Sequence, residues 1–98
     1  VSIDEENNVP KSFSLMPVYP NPFNPVATIR FNIGPGMSHT TLQIFDIGGR
    51  LVQNLMNAEL ANGEHEIIWD ASKKQSGVYF IRLQIGDYIE TQKALLLK

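Results

Sequence analysis

The chain has 98 residues, 43% of them hydrophobic and 18% charged, with a formal net charge of −2 and no cysteine. That length suits one core and is short for two, and every large apolar residue type is present, so a packed domain is expected. The eight Lys and Arg residues are scattered, which leaves no electrostatic footprint for nucleic acid or an anionic membrane. The missing cysteines remove disulfides, thiolate nucleophiles and cysteine metal sites, while secretion stays open.

Residues 1–11 are polar and acidic around Asp4-Glu5-Glu6-Asn7-Asn8, a composition that buries little and reads as a linker from an upstream domain. It lacks the basic-then-apolar order of a signal peptide, so an export signal is expected further upstream in a longer precursor. The folded unit is expected over 12–98. From Ser12 onward, apolar residues recur with a period near two and turn residues interrupt them about every ten positions, the pattern of short antiparallel strands.

A first strand is expected over Phe13 to Val18. It leads into Tyr19-Pro20-Asn21-Pro22-Phe23-Asn24-Pro25, whose three prolines cannot donate to a ladder and so predict a rigid corner. Ile29, Phe31 and Ile33 then alternate with Thr28, Arg30 and Asn32, one set inward and the other toward solvent. Gly34-Pro35-Gly36 is expected to end that strand, and Thr41 to Phe45 to begin another. Asp46 to Arg50, with Gly48 and Gly49, predicts a hairpin turn into Leu51 to Leu55.

After a polar loop around Ala61-Asn62-Gly63, His65, Ile67 and Trp69 share one face, with Trp69 expected as a core anchor. Gly77 opens the β-branched and aromatic run Val78 to Ile85, and Gly86-Asp87, with Gly first, suits a type II′ turn into Tyr88 to Leu97. The count is about seven strands. Seven short strands imply two packed sheets, because one flat sheet leaves an apolar face wet; an all-β, immunoglobulin-like antiparallel sandwich follows. The longest apolar run, Ala94 to Leu97, is far short of the roughly 20 residues that a membrane-spanning helix needs.

Nothing in the pattern calls for catalysis, a metal or a cofactor. The only histidines are His39, in an expected loop, and His65, on an inward face, and neither has a partner at metal-ligand spacing. Asp46, Asp70 and Asp87 occupy turns, where a carboxylate bonds local backbone without calcium. Gly48-Gly49-Arg50 lacks the spacing and the following helix of a phosphate loop.

Five blocks in order carry a resemblance: Tyr19 to Pro25 followed by Ala27 to Phe31, Ile44 to Val52, Gly63 to Asp70, Ser76 to Phe80, and Lys93 to Lys98. Together they make residues 13–98 resemble the type A C-terminal sorting domain of proteins exported by the type IX secretion system. A related immunoglobulin-like fold occurs in flagellar hook-capping proteins. The resemblance implies a non-catalytic module of a Bacteroidetes-type or neighbouring Gram-negative bacterium, attached to an upstream cargo domain. It further implies passage through periplasm and outer membrane to the cell surface or medium, with outer-membrane export and sortase-like machinery as partners and cleavage before Phe13.

Two departures stand out. Ala71 follows the Trp69-Asp70 pair where the family often has Gly, and the loop Ser72-Lys73-Lys74-Gln75 is short and lacks glycine, so a local loop geometry of its own is expected.

The candidate recognition residues are Tyr19, Pro20, Asn21, Pro22, Phe23, Asn24 and Pro25, then Gly77, Val78 and Tyr79, and finally Lys93, Leu95, Leu97 and Lys98. The proline motif reads first as a brace that closes one end of the sandwich, with a receptor-binding epitope as the alternative. The last strand, if it lies at a sheet edge, offers free backbone groups for strand addition or edge-to-edge self-association, with its lysines as guards. The competing function is a structural or carbohydrate-binding accessory sandwich. That reading requires Tyr19, Phe45, Tyr79 and Tyr88 exposed together on one face.

Overall fold

The computed structural model describes residues 13–98; the linker expected over 1–11 lies outside them. Five antiparallel strands follow in order: β1 (Ser14–Leu15), β2 (Val26–Asp46), β3 (Leu51–Asp70), β4 (Gly77–Ile85) and β5 (Tyr88–Leu96). They form one sheet in the order β1-β2-β4-β5, with β3 paired to β2 as well.

The sheet curls upon itself. A straight strand of β2's 21 residues is about 70 Å long, yet the molecule's largest dimension is 46 Å, so β2 and its partner β3 must bend. One end of the β2–β3 hairpin, Val26–Ile33 against Gly63–Asp70, lies beside β1, and the other, Thr40–Asp46, lies beside β4. The two layers of the sandwich are therefore β1 with one end of β2–β3, and the other end of β2–β3 with β4 and β5.

The bend falls at Gly34-Pro35-Gly36. The glycines and proline predict a strand end there, but the chain stays extended and the register slips instead, from Ile33 opposite Gly63 to Met37 opposite Ala61. Pro35 gives up a ladder donor, and Gly36, at φ +85°, takes a conformation that side chains disfavour. The slip reverses the inward parity: Ala27, Ile29, Phe31 and Ile33 are buried before it, and Thr40, Leu42 and Ile44 after it. The loop expected around Ala61-Asn62-Gly63 is likewise part of continuous β3. The seven expected segments thus occupy five continuous strands.

The inward residues of both layers form one core. Trp69 is fully buried, packed between Phe23 at 5.2 Å and Tyr79 at 5.5 Å, and its indole N–H donates to Gln53 Oε1 at 3.2 Å. Ile81, Leu83, Ile85, Ala94 and Leu96 close the other side. The connections are tight: Asp46 Oδ1 accepts the Arg50 amide at 2.9 Å, a bond that holds its carboxyl below the usual range. Gly86 starts the β4–β5 turn at φ +58°, the sign a primed turn demands.

Candidate functional site

Three of the sequence blocks converge where the chain's first and last described segments meet. β1 is only two residues long because the prolines that follow cannot donate, so the chain leaves β2 after the Tyr19–Thr28 bridge and crosses to β5. There Phe23 makes a one-residue parallel bridge with Leu96. Its amide donates to Leu95 O at 2.9 Å, and its carbonyl accepts the Leu97 amide at 3.0 Å.

Asn21 extends the junction with its side chain. Its Nδ2 donates to Lys93 O and its Oδ1 accepts the Leu95 amide, both at 3.0 Å, so a carboxamide supplies the donor and acceptor that a neighbouring strand otherwise provides. The other end of the motif is tied by the Ala71 amide, which donates to Pro25 O at 2.8 Å.

A second set of bonds runs along the inward face of β5. Ala94 and Leu96 are buried, and the same parity continues to Gln92, Glu90 and Tyr88. Gln92 donates from Nε2 to Leu15 O at 3.1 Å and accepts the Val18 amide at 3.0 Å, while Glu90 Oε1 accepts the Leu15 amide at 3.1 Å. The Tyr88 hydroxyl donates to the same Glu90 oxygen. Burial first, and then Glu90, push that phenol up to about 12. β1 and β5 share no ladder, and these side chains join them across the layers.

The candidate residues divide by exposure. Tyr19 is 69% exposed, Pro20, Asn21, Pro22 and Asn24 are exposed, and Pro25 is half-buried, but Phe23 is only 1% exposed and serves as a plug against Trp69. Gly77 and Val78 are half-buried at the start of β4. Tyr79 faces the core with its hydroxyl donating to Gln75 O at 2.7 Å, so no partner reaches its ring in the folded domain.

Lys93 and Leu97 are exposed and Leu95 is half-buried. Lys98 is pinned to the Ala71–Ser76 loop: its amide donates to Ser76 Oγ at 2.9 Å and its ammonium to Ser72 O and Lys74 O at 2.7 and 2.8 Å. Ala71, one of the two departures, is fully buried, which explains a methyl group where the backbone turns under the seam.

Glu90 and Gln92 were not singled out by sequence, although two polar residues in the buried parity of an otherwise alternating strand are a signal that such positions bond something. Asn21 is among the candidates as part of the proline motif, but its bonds to β5 carry no such signal, because a surface asparagine between prolines reads as an ordinary turn residue.

The aromatic platform required for sugar binding does not form. Tyr79 is buried, Phe45 and Tyr88 are half-buried, and Tyr19 alone of the four is exposed. A shallow, open cavity lies beside Tyr19, lined also by Thr28, Arg30 and Glu66. Among the described residues, no cluster of three His, Asp or Glu side chains is placed to hold a metal ion, and no helix is long and apolar enough to cross a membrane. His65 instead stacks on Phe31 at 5.7 Å, with Nε2 2.8 Å from Ala61 O.

Residues 17–98 match the family model of the secretion system C-terminal sorting domain. No curated protein sequence matches the chain. Among solved structures, dimeric latent PorU from Porphyromonas gingivalis is similar, with a TM-score of 0.70 and 22% identity over 87% of this chain. The match spans 9% of the PorU chain, and the likeness is one of fold.

Proposed function

Because the chain belongs to the secretion system C-terminal sorting domain family, whose members are sorting signals for type IX secretion, we propose that the export machinery reads the seam between Tyr19–Pro25 and Lys93–Lys98 as one composite surface. The family is non-catalytic and implies a cargo-bearing precursor and export to the cell surface or medium. This chain performs no chemistry of its own. It follows an upstream cargo domain through the periplasm and across the outer membrane, and the sortase-like component acts on the linker before Phe13.

The observation that supports this reading is the pair of backbone bonds from Phe23 to Leu95 and Leu97, flanked by Asn21. They close the edge of β5 where strand addition from outside needs it open. A receptor that engages the folded domain at this end meets the exposed tips of the seam, namely Tyr19, Pro20, Pro22, Lys93 and Leu97, rather than a free strand.

Deleting Lys93–Lys98 is a poor test, since Ala94 and Leu96 are fully buried and their loss unfolds the domain. The informative experiment fuses residues 1–98 to a fluorescent reporter carrying an export signal, in bacteria with and without a working type IX system. The Tyr19→Ser, Lys93→Glu and Leu97→Ser variants are compared at equal folded stability. Export that depends on the system and falls several-fold in the triple variant supports the composite surface. Undiminished export of the folded triple variant rules it out.

A further inference from the structure

The sheet has three free edges, and two are guarded. β1 offers two residues, and β5 is closed by Asn21 and Phe23 over Lys93–Leu97. The third is the outer edge of β3, which pairs with β2 alone among the described residues. Its first half is irregular: Leu42 lies opposite Met56 but Gln43 opposite Asn54, and Ile44 opposite Gln53 but Phe45 opposite Leu51, so Leu55 and Val52 bulge. Bulges of this kind spoil an edge for further pairing.

Its second half is different. From Gly63 opposite Ile33 to Asp70 opposite Val26 the register is unbroken. No proline, lysine or arginine interrupts residues 63–70, so the charges that guard this stretch are all acidic and select against an acidic or neutral strand while leaving a basic one free to pair. The outward side chains at alternate positions are Glu64, Glu66, Ile68 and Asp70, all exposed, with Ile68 at 53%. Arg30 stands directly across from Glu66 in the ladder, yet neither Glu64 nor Glu66 forms an ion pair with any described residue.

We propose that the outer edge of β3 between Glu64 and Asp70 is a docking edge for an extended, basic strand of a partner protein, with lysine or arginine on the face shared by Glu64 and Glu66 and apolar residues at the alternate positions. Backbone bonding along the edge supplies the attachment, and the alternating charges choose the partner, because opposite charges directly across a ladder attract and like charges repel. The same rule disfavours a second copy of this chain, since antiparallel pairing of two such edges sets acidic rows against each other. The edge lies across β2 from the seam, so this partner is additional to the one proposed for sorting.

The test titrates the isotopically labelled 98-residue chain, at low ionic strength, with a synthetic peptide that alternates lysine and valine. Amide shifts confined to residues 63–70 and the facing 26–33 are expected. Affinity should fall on the order of ten-fold in Glu64→Lys/Glu66→Lys, and that variant should instead take a peptide alternating glutamate and valine. Both side chains are exposed, so unchanged shifts elsewhere report that the variant is folded. Shifts centred on β5, equal affinity for both peptides, or concentration-dependent pairing of the chain with itself through β3 would overturn the proposal.

Discussion

The seam is made of polar side chains that stand in for backbone, and each carries a measurable consequence. Asn21 bonds Lys93 O and the Leu95 amide from the surface, where water replaces part of what is lost on truncation. Asn21→Ala is therefore expected to lower unfolding free energy by about 0.5–1.5 kcal/mol, read from urea midpoints. Asn21→Asp keeps one acceptor but loses the donor to Lys93 O, and should fall between the alanine variant and the parent.

Tyr88 reports the other half of the seam through pH. Its phenol is held up to about 12 in the folded chain, against an ordinary value of 10.0, so the neutral form is the one favoured by folding. That contribution is fully present below pH 10 and is lost as pH rises toward 12. The stability difference between the parent and Tyr88→Phe should be flat from neutral pH to about 10 and shrink above it. A difference that grows in that window contradicts a phenol kept neutral by burial and by Glu90.

At the scale of elements, Gln92 does for β5 what a ladder does for an ordinary strand. Its carboxamide takes both Leu15 O and the Val18 amide in a partly buried setting. Gln92→Leu keeps the volume and strands both groups, at a cost of about 1–3 kcal/mol. Hydrogen exchange should show the Val18 amide losing protection while the β4–β5 ladder keeps its own.

This division also explains what was legible in the sequence. Alternation at Ile29, Phe31 and Ile33 reports burial on one face, and those residues are in the core, whereas Tyr79, a recognition candidate by sequence, is in the core as well. Strand ends were less legible. Gly34-Pro35-Gly36 carries every local sign of termination, but the hydrogen bonds that keep β2 continuous come from a β3 partner more than twenty residues away. Of the site, the proline motif and the last strand were visible as separate blocks, whereas their junction was not. Local pattern does not say that Asn21 will bond residues more than seventy positions distant.

On the scale of the whole molecule, a single hairpin supplies strands to both layers, so neither layer has a core without the other. Trp69 comes from one layer and touches Tyr79 of the other and Phe23 of the seam. Unfolding should consequently be one cooperative transition, with Trp69 fluorescence and far-ultraviolet dichroism coincident in urea. Phe23 joins this core to the seam. Phe23→Ala removes a fully buried ring and should cost about 3–5 kcal/mol, whereas Phe23→Leu fills most of the volume and should cost considerably less. Both probes should shift together in each variant, since the seam and the sandwich close in the same step. If instead Phe23→Ala leaves the dichroism midpoint in place and moves only the fluorescence, the seam is a separately opening flap, and the machinery could meet a bare β5 edge after all.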